Sequence, residues 1–443
     1  MRLTPDKVMD VLRQHMLVDG FDLVIDLEKS RGNVLVDART GDRFLDFFSF
    51  FASNPLGFNH PKMLTPETKE RLLRAAIQKP SNSDFYTVEM AEFVGTFFEK
   101  AIPPGTFKYI FLIEGGALAV ENALKTAFDW KVRKNFAKGI REEKGHQILH
   151  FQQAFHGRSG YTLSLTNTFD PRKTKFFTKF SWPRVLNPKL EFPLTEENLE
   201  KVKKAEQESL RQIKEAIYKN PDDIAAIIIE PIQGEGGDNH FRAEFFRELR
   251  QICDESDILL IFDEVQTGVG ITGKWWAFQH FGVVPDILCF GKKTQVCGIV
   301  ATERIDEVED NVFHESSRIN STWGGNLTDM VRSTRYLEII EEDGLVENAA
   351  TVGEYFLEQL QKLGEEFPGK LHNIRGRGLF IAFDLEDTEM RERVLQEVFN
   401  QKMIALRSGE KAIRFRPSLT ITREEVDQGI DILRTALKAV LAS

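Results

Sequence analysis

Cysteine is scarce. The 443 residues hold three, Cys253, Cys289 and Cys297. An odd count with apolar surroundings argues against a disulfide framework and for buried thiols in a reducing setting. No pair has the spacing of a zinc knuckle, and Cys297 reads as a packed small residue before it reads as a reactive thiol. A basic surplus is missing too: 58 Lys and Arg stand against 68 Asp and Glu, a net charge of −10. Nucleic acid is therefore disfavoured as a partner. No apolar run approaches the ~20 residues of a membrane span. The first ten residues lack the apolar core and small-residue cleavage site of a secretory signal, so a cytoplasmic protein with no membrane partner is expected. Internal repeats and low-complexity segments are absent. What is present is ordinary globular composition, 42% hydrophobic and 28% charged, with length for two or three domains.

Thr4-Pro5-Asp6 has the pattern of a helix start with threonine as N-cap, and predicts a helix to about Met16. Residues 23–25 and 34–37 read as short strands. The aromatic stretch 44–52 reads first as core and second as the lining of a substrate cleft. Helices are expected over 65–77 and 87–100, the latter stopped by Pro103-Pro104-Gly105. From Tyr109 the pattern changes. Apolar runs at 109–113, 147–151, 224–229 and 258–262 alternate with helical stretches, among them 117–138, 194–219 and 242–255. Strands so continuously apolar are buried on both faces, which means a parallel sheet with helices outside. After Asp329 the chain is helical to about Phe367. A short α+β segment follows, and Thr422 with Glu425 forms a capping box that opens the last helix. The expected fold class is α/β: a segment of residues 1–60 packing with the small domain, a large domain over 61–327, and a smaller α+β domain over 328–443.

The stretch 258–298 carries the chemistry. Asp263 closes one apolar run, and Lys292 and Lys293 follow a second at 287–290. A carboxylate and an amine at the edge of a parallel sheet, below a phosphate-loop pattern, suit a pyridoxal phosphate (PLP) enzyme. The amine forms a Schiff base and the carboxylate keeps the pyridine nitrogen protonated. Upstream, Glu114-Gly115-Gly116-Ala117 ends a strand and opens a helix, where N–H groups favour an anion. Alone, it is equally a tight connection. Phe155-His156-Gly157-Arg158 offers an aromatic to lie on a ring and an arginine to grip a carboxylate, although Arg158 by itself reads as a surface residue. Residues 230–238 set acids among glycines after a buried strand, without the alternating acids of a calcium loop. The Thr322 hydroxyl suits a phosphate. Alternation points Arg414 and Arg416 to one side, which suits an acidic ligand and also a plain exposed strand.

Together and in this order, these runs resemble the class III (ω-amino acid) aminotransferases, of the fold-type I PLP-dependent transferases. The resemblance covers nearly the whole chain. It is strongest in Asp263-Glu264-Val265-Gln266-Thr267-Gly268 and Gly291-Lys292, with 29 residues from acid to lysine. The runs beginning at Lys79, Glu114, Phe155, Gly291 and Asn320 are most similar to the branch acting on the ε-amine of L-lysine. The resemblance implies a large, mostly parallel-sheet domain flanked by helices and a smaller α+β domain. It implies Lys292 as the Schiff-base lysine, with Lys293 as competitor, and Asp263 as the pyridinium partner. Gln266 is implied on the ring's phenolic oxygen and beside the substrate, and Phe155 on the ring face. Gly116 and Ala117 would hold the phosphate, and Thr322 would reach it from the other subunit of a homodimer. Arg158, helped by Asn320, would take the α-carboxylate of lysine. Arg414 would take that of 2-oxoglutarate, with Arg416 the neighbour to tell it from. Glu235 would pair with Arg414 while lysine is bound and swing away for 2-oxoglutarate. The implied reaction is ping-pong, from L-lysine and 2-oxoglutarate to 2-aminoadipate 6-semialdehyde and L-glutamate. Ornithine or 4-aminobutyrate as donor, an aminomutase reaction, and a non-catalytic protein on this fold are the alternatives.

Overall fold

The computed structural model describes residues 3–442. Its central sheet has seven strands, in the order Tyr109–Ile113, Cys297–Ala301, Ile287–Phe290, Leu259–Asp263, Ile224–Ile229, Gln147–Phe151 and Arg184–Val185. Only Cys297–Ala301 runs against the rest. This strand is not among those expected from the apolar runs. Residues 291–296 are too few for a helical crossover, so the chain can only turn back beside the strand it has left.

Every residue of Ile224–Ile229, Leu259–Asp263 and Ile287–Phe290 is buried, because both sheet faces are covered. Leu259, Ile261, Ile287 and Cys289 pack with Val120, Ala123, Leu124 and Trp130 of helix Gly116–Ala137. Their alternates Leu260, Phe262, Leu288 and Phe290 pack with Phe245, Phe246 and Leu249 of helix Ala243–Glu255. The period-two alternation of a strand thus feeds two separate cores.

A second, antiparallel sheet joins His372–Arg377, Phe380–Asp384, Ala412–Phe415 and Leu406–Ser408. A third pairs Val34–Val36 with Arg43–Asp46, and the latter with Met403–Ile404, which ties the first fifty residues to the last fifty. The capping box forms: the Thr422 N–H donates to Glu425 at 3.0 Å and the Glu425 N–H to the Thr422 hydroxyl at 3.2 Å.

Two local expectations fail and a third holds in part. The first helix is only a 3-10 turn at Pro5–Lys7 and a short helix at Val8–Arg13, and the Thr4 hydroxyl caps nothing. No residue of either piece is buried, so packing does not prop up a segment too short to be helical alone. Residues 23–25 make a single bridge, Ile25 to Asp37, instead of a strand. The stretch 44–52 divides: Phe47 is wholly buried in the core, whereas Phe51 is 46% exposed. Between them the chain enters a left-handed turn at Ser49–Ala52, φ +37° to +65°.

Candidate active site

The sheet register sets Asp263 beside Cys289 on the neighbouring parallel strand, and Lys292 follows three residues later. One Asp263 oxygen accepts the Val265 N–H at 3.1 Å. The other lies 2.8 Å from Nδ1 of His156, which is 2% exposed. An ionised carboxylate only accepts, so Nδ1 carries the proton and donates it. Glu230, closing strand Ile224–Ile229, accepts the N–H groups of Phe155 at 2.8 Å and Gly234 at 3.0 Å. Burial, and next the charge of Asp263, push the Glu230 carboxyl well above the usual range. It therefore fastens the Phe155 turn to the sheet edge.

The opening of helix Gly116–Ala137 comes to the same place. Gly157, at φ +118°, lies so close to it that a Cβ there would sit 2.5 Å from Cβ of Ala117. Gly116 rests against the Val265 side chain. The buried Cys297 thiol, raised by desolvation, meets the backbone of both Gly115 and Lys292.

The adjacent lysines differ. Lys293 is 2% exposed, and its amine donates to the carbonyls of Gln266 at 2.8 Å and Ala52 at 3.3 Å. Burial, then the charge of Lys292, hold it well below the ordinary range. The Lys292 amine makes no hydrogen bond among the described residues and lies 5.6 Å from the Phe51 ring centre. Burial and then the Arg414 charge lower it to about 8. The start of helix Gly116–Ala137, the buried Asp263 carboxylate and Gly291, the residue before the free amine of Lys292, thus meet at Val265. This donor set fits the aldehyde, the pyridine nitrogen and the phosphate of PLP.

The two arginines are both buried, Arg414 at 3% and Arg416 at 0% exposure, which removes the exposed-strand reading. Arg416 is locked: it pairs with Asp238 at 2.8 Å and stacks on Phe380 at 3.3 Å. Desolvation lowers it to about 10. Gln266 Oε1 takes Arg416 Nε and Nη2, both at 3.1 Å, and Arg414 Nη1 at 3.3 Å. Guanidinium only donates, so the amide oxygen must face the arginines and its NH2 faces away. Gly234 makes room for this, since a Cβ there would lie 2.4 Å from Oε1. Among the described residues Arg414 has no ion pair, and its buried Nε has no partner.

Glu235 does not pair with Arg414. Its Oε1 accepts the Thr168 hydroxyl at 2.8 Å and the Lys173 amine, while the buried Oε2 has no partner among the described residues. The expected contact is replaced because Lys173 supplies a nearer cation from the turn Pro171–Lys173.

Arg158, Asn320 and Thr322 are exposed. Among the described residues the Arg158 guanidinium and the Thr322 hydroxyl have no partner, and none of the three is hydrogen-bonded to Lys292, Asp263 or the helix start. The loop holding Asn320 and Thr322 is nonetheless fixed. Ser81 donates to the Thr322 carbonyl at 2.6 Å, and Asn82 to the carbonyls of Trp323 and Gly325, both at 3.0 Å.

His156, Glu230, Thr168, Lys173 and Phe51 went unassigned in the sequence. His156 and Glu230 carried a faint signal, polar residues just past buried strands. Lys173, in a basic loop, carried none.

The chain matches the family model Aminotransferase class-III over residues 18–437. It is 52% identical over 438 residues to the L-lysine-epsilon aminotransferase of Mycobacterium tuberculosis, covering 99% of this chain and 96% of the relative. It is 33% identical to human mitochondrial 4-aminobutyrate aminotransferase, over 88% and 80% of the two chains. A solved lysine aminotransferase from M. tuberculosis, in its internal aldimine form, superposes with a TM-score of 0.96 at 52% identity over 99% of this chain and 100% of that one.

Proposed function

The chain belongs to the class III aminotransferases, and from that premise we propose that it transfers the ε-amino group of L-lysine to 2-oxoglutarate. The products are 2-aminoadipate 6-semialdehyde and L-glutamate. The observation that carries this reading is the end-to-end similarity, at 52% identity, to L-lysine-epsilon aminotransferases.

PLP, when bound, supplies the carbonyl that condenses with amines and the ring that takes up an electron pair. Asp263, held by Val265 and His156, is the carboxylate for the pyridine nitrogen. The N–H groups of Gly116 and Ala117 receive the phosphate, Phe155 covers the ring, and the Gln266 NH2 is free for the phenolic oxygen. Lys292 is the reactive amine. At a pKa of about 8 it has a neutral fraction near neutral pH, as a general base needs. It takes a proton from the ε-carbon of lysine, and in the second half-reaction it gives one to the α-carbon of the nascent glutamate.

Substrate orientation follows from the arginines. Arg158 with Asn320 takes the lysine α-carboxylate, which leaves the ε-amine for the reacting centre. Arg414 takes the α-carboxylate of 2-oxoglutarate, and Glu235 covers Arg414 in the lysine half-reaction. Thr322 serves the phosphate of a second copy, so the working unit is a homodimer. Exposed apolar side chains beside these groups, Leu118 next to Ala117 and Trp323 next to Thr322, support that assembly. The three free thiols suit a reducing cytoplasm. None of the described helices is long and apolar enough to cross a membrane.

The test is one assay, with lysine as donor, 2-oxoglutarate as acceptor and the aldehyde position identified in the product. Glutamate with the 6-semialdehyde is expected. Preference for ornithine or 4-aminobutyrate, or an aldehyde at the α-carbon, refutes the reading.

A further inference from the structure

We propose that Lys173, with Thr168, is the second pole of a switch whose moving part is the Glu235 side chain, and that this pole sets how readily Arg414 opens to the keto acid. The inference rests on the transaminase reading above and adds a specificity-determining pair to it.

The Glu235 backbone cannot travel. The Gly409 N–H donates to the Glu235 carbonyl at 2.8 Å, and the Ser408 hydroxyl donates to the Gly234 carbonyl at 2.7 Å. A main-chain bridge between Gln233 and Asn239 closes the loop. Motion is left to the side chain. That side chain is half engaged, with Oε1 held by Thr168 and Lys173 and Oε2 buried without a partner. Across from it, Arg414 keeps a buried Nε without a partner, and Glu235 is among the acids whose field acts on it. An acceptor and a donor are thus both unfilled, which is costly for buried polar groups and suits a contact made in one state and broken in another.

The Lys173 post is built to hold its side of the exchange. Asp170 caps the turn by accepting the Arg172 N–H at 3.1 Å and ties down the Arg172 side chain at 2.8 Å. The Asp170 N–H donates to the Thr168 hydroxyl at 3.2 Å. That hydroxyl is then oriented to give its own proton to Glu235. Arg172 is already spent on Asp170, so Lys173 is the cation the turn presents to the glutamate.

The arrangement present here is the open one, with Glu235 on Lys173 and Arg414 unpaired. Two cations compete for one carboxylate, and the balance between them fixes the fraction of enzyme ready for 2-oxoglutarate. Losing Lys173 favours the Arg414 pair. The keto acid must then displace it, whereas lysine meets a site that is closed as it requires.

The experiment measures the two half-reactions of the holoenzyme separately, by the cofactor absorbance change on mixing with lysine alone and, after amination, with 2-oxoglutarate alone. Lys173→Met should lower kcat/KM for 2-oxoglutarate about 10-fold, the low end for a charge-assisted bond at a partly exposed lysine. The lysine half-reaction should not fall, and Lys173→Arg should restore the loss. In a Glu235→Ala background Lys173→Met should have no effect on either half. Equal losses in both halves, no change in either, or a loss that persists without Glu235 overturns the inference. If the natural enzyme does not turn over lysine with 2-oxoglutarate, the functional reading falls and this inference with it. If it does and Lys173→Met is silent, only the inference falls.

Discussion

Replacing Lys292 by methionine should abolish turnover and yet make the cofactor-free protein more stable. Burial and the neighbouring Arg414 hold this amine at about 8 instead of 10.5, so the fold disfavours its charged form by roughly 3 kcal/mol. Because the side chain is partly open to water, roughly 1–3 kcal/mol is the working figure. The sign follows from proton counting. Below pH 8 the folded and unfolded chains both carry the proton, and the whole cost falls on the fold. Between 8 and 10.5 the unfolded chain keeps the proton that the folded chain has lost, so the stability of the natural protein rises with pH across that window. Above 10.5 neither carries it and the cost is gone. Lys292→Met should therefore gain roughly 1–3 kcal/mol at pH 7 over the natural sequence, and the gain should fade as pH climbs from 8 towards 10.5. Urea unfolding of both proteins, stripped of cofactor, at pH 7 and at pH 10 reads the difference directly. A loss of stability at pH 7, or the same difference at both pH values, refutes the reasoning. Turnover that survives Lys292→Met would move the catalytic role to Lys293, whose amine is already given to the Gln266 and Ala52 carbonyls.

Three further outcomes are expected. Asp263→Asn keeps the shape but loses the charge that His156 and Val265 support; kcat should drop on the order of 100- to 1000-fold, with the phosphate still held, as equilibrium dialysis of the cofactor would show. Asp238→Asn leaves Arg416 buried without its counter-charge, and the urea midpoint should fall by the equivalent of about 3–5 kcal/mol, whereas an unchanged midpoint would mean that the pair is not what holds Arg416. Glu235→Ala should raise the share of lysine reacting at its α-amine, read as the ratio of the two product aldehydes, and an unchanged ratio would remove Glu235 from substrate choice.

Most of the sheet was legible because both of its faces are covered, so every position of the strand at 224–229, and of the strand at 259–263 up to its closing Asp263, had to be apolar. The first helix was misread for the opposite reason: its start signal is local, but no buried face backs it. Strand Cys297–Ala301 was missed because its apolar run is short and holds Gly298, and composition does not announce which way a strand runs. The turn before it decides that.

In the candidate site the division is sharper. The residue order alone placed an acid and an amine at the ends of two buried strands, since an apolar run that ends in a charged residue has reached the sheet edge; that the strands are neighbours came from the sheet pairing. It could not separate Lys292 from Lys293 or Arg414 from Arg416. Each pair shares the same chemistry within two residues of chain. Only the tertiary structure tells the members of each pair apart, because the difference lies in what each group meets across space. One lysine amine is hydrogen-bonded to carbonyls and the other is free. One guanidinium is paired with Asp238, 178 residues away in the chain, and the other is not. The partner of Glu235 belongs with these. Lys173 stands 62 residues upstream, and only the packing of its turn against the Glu235 loop brings the two charges together.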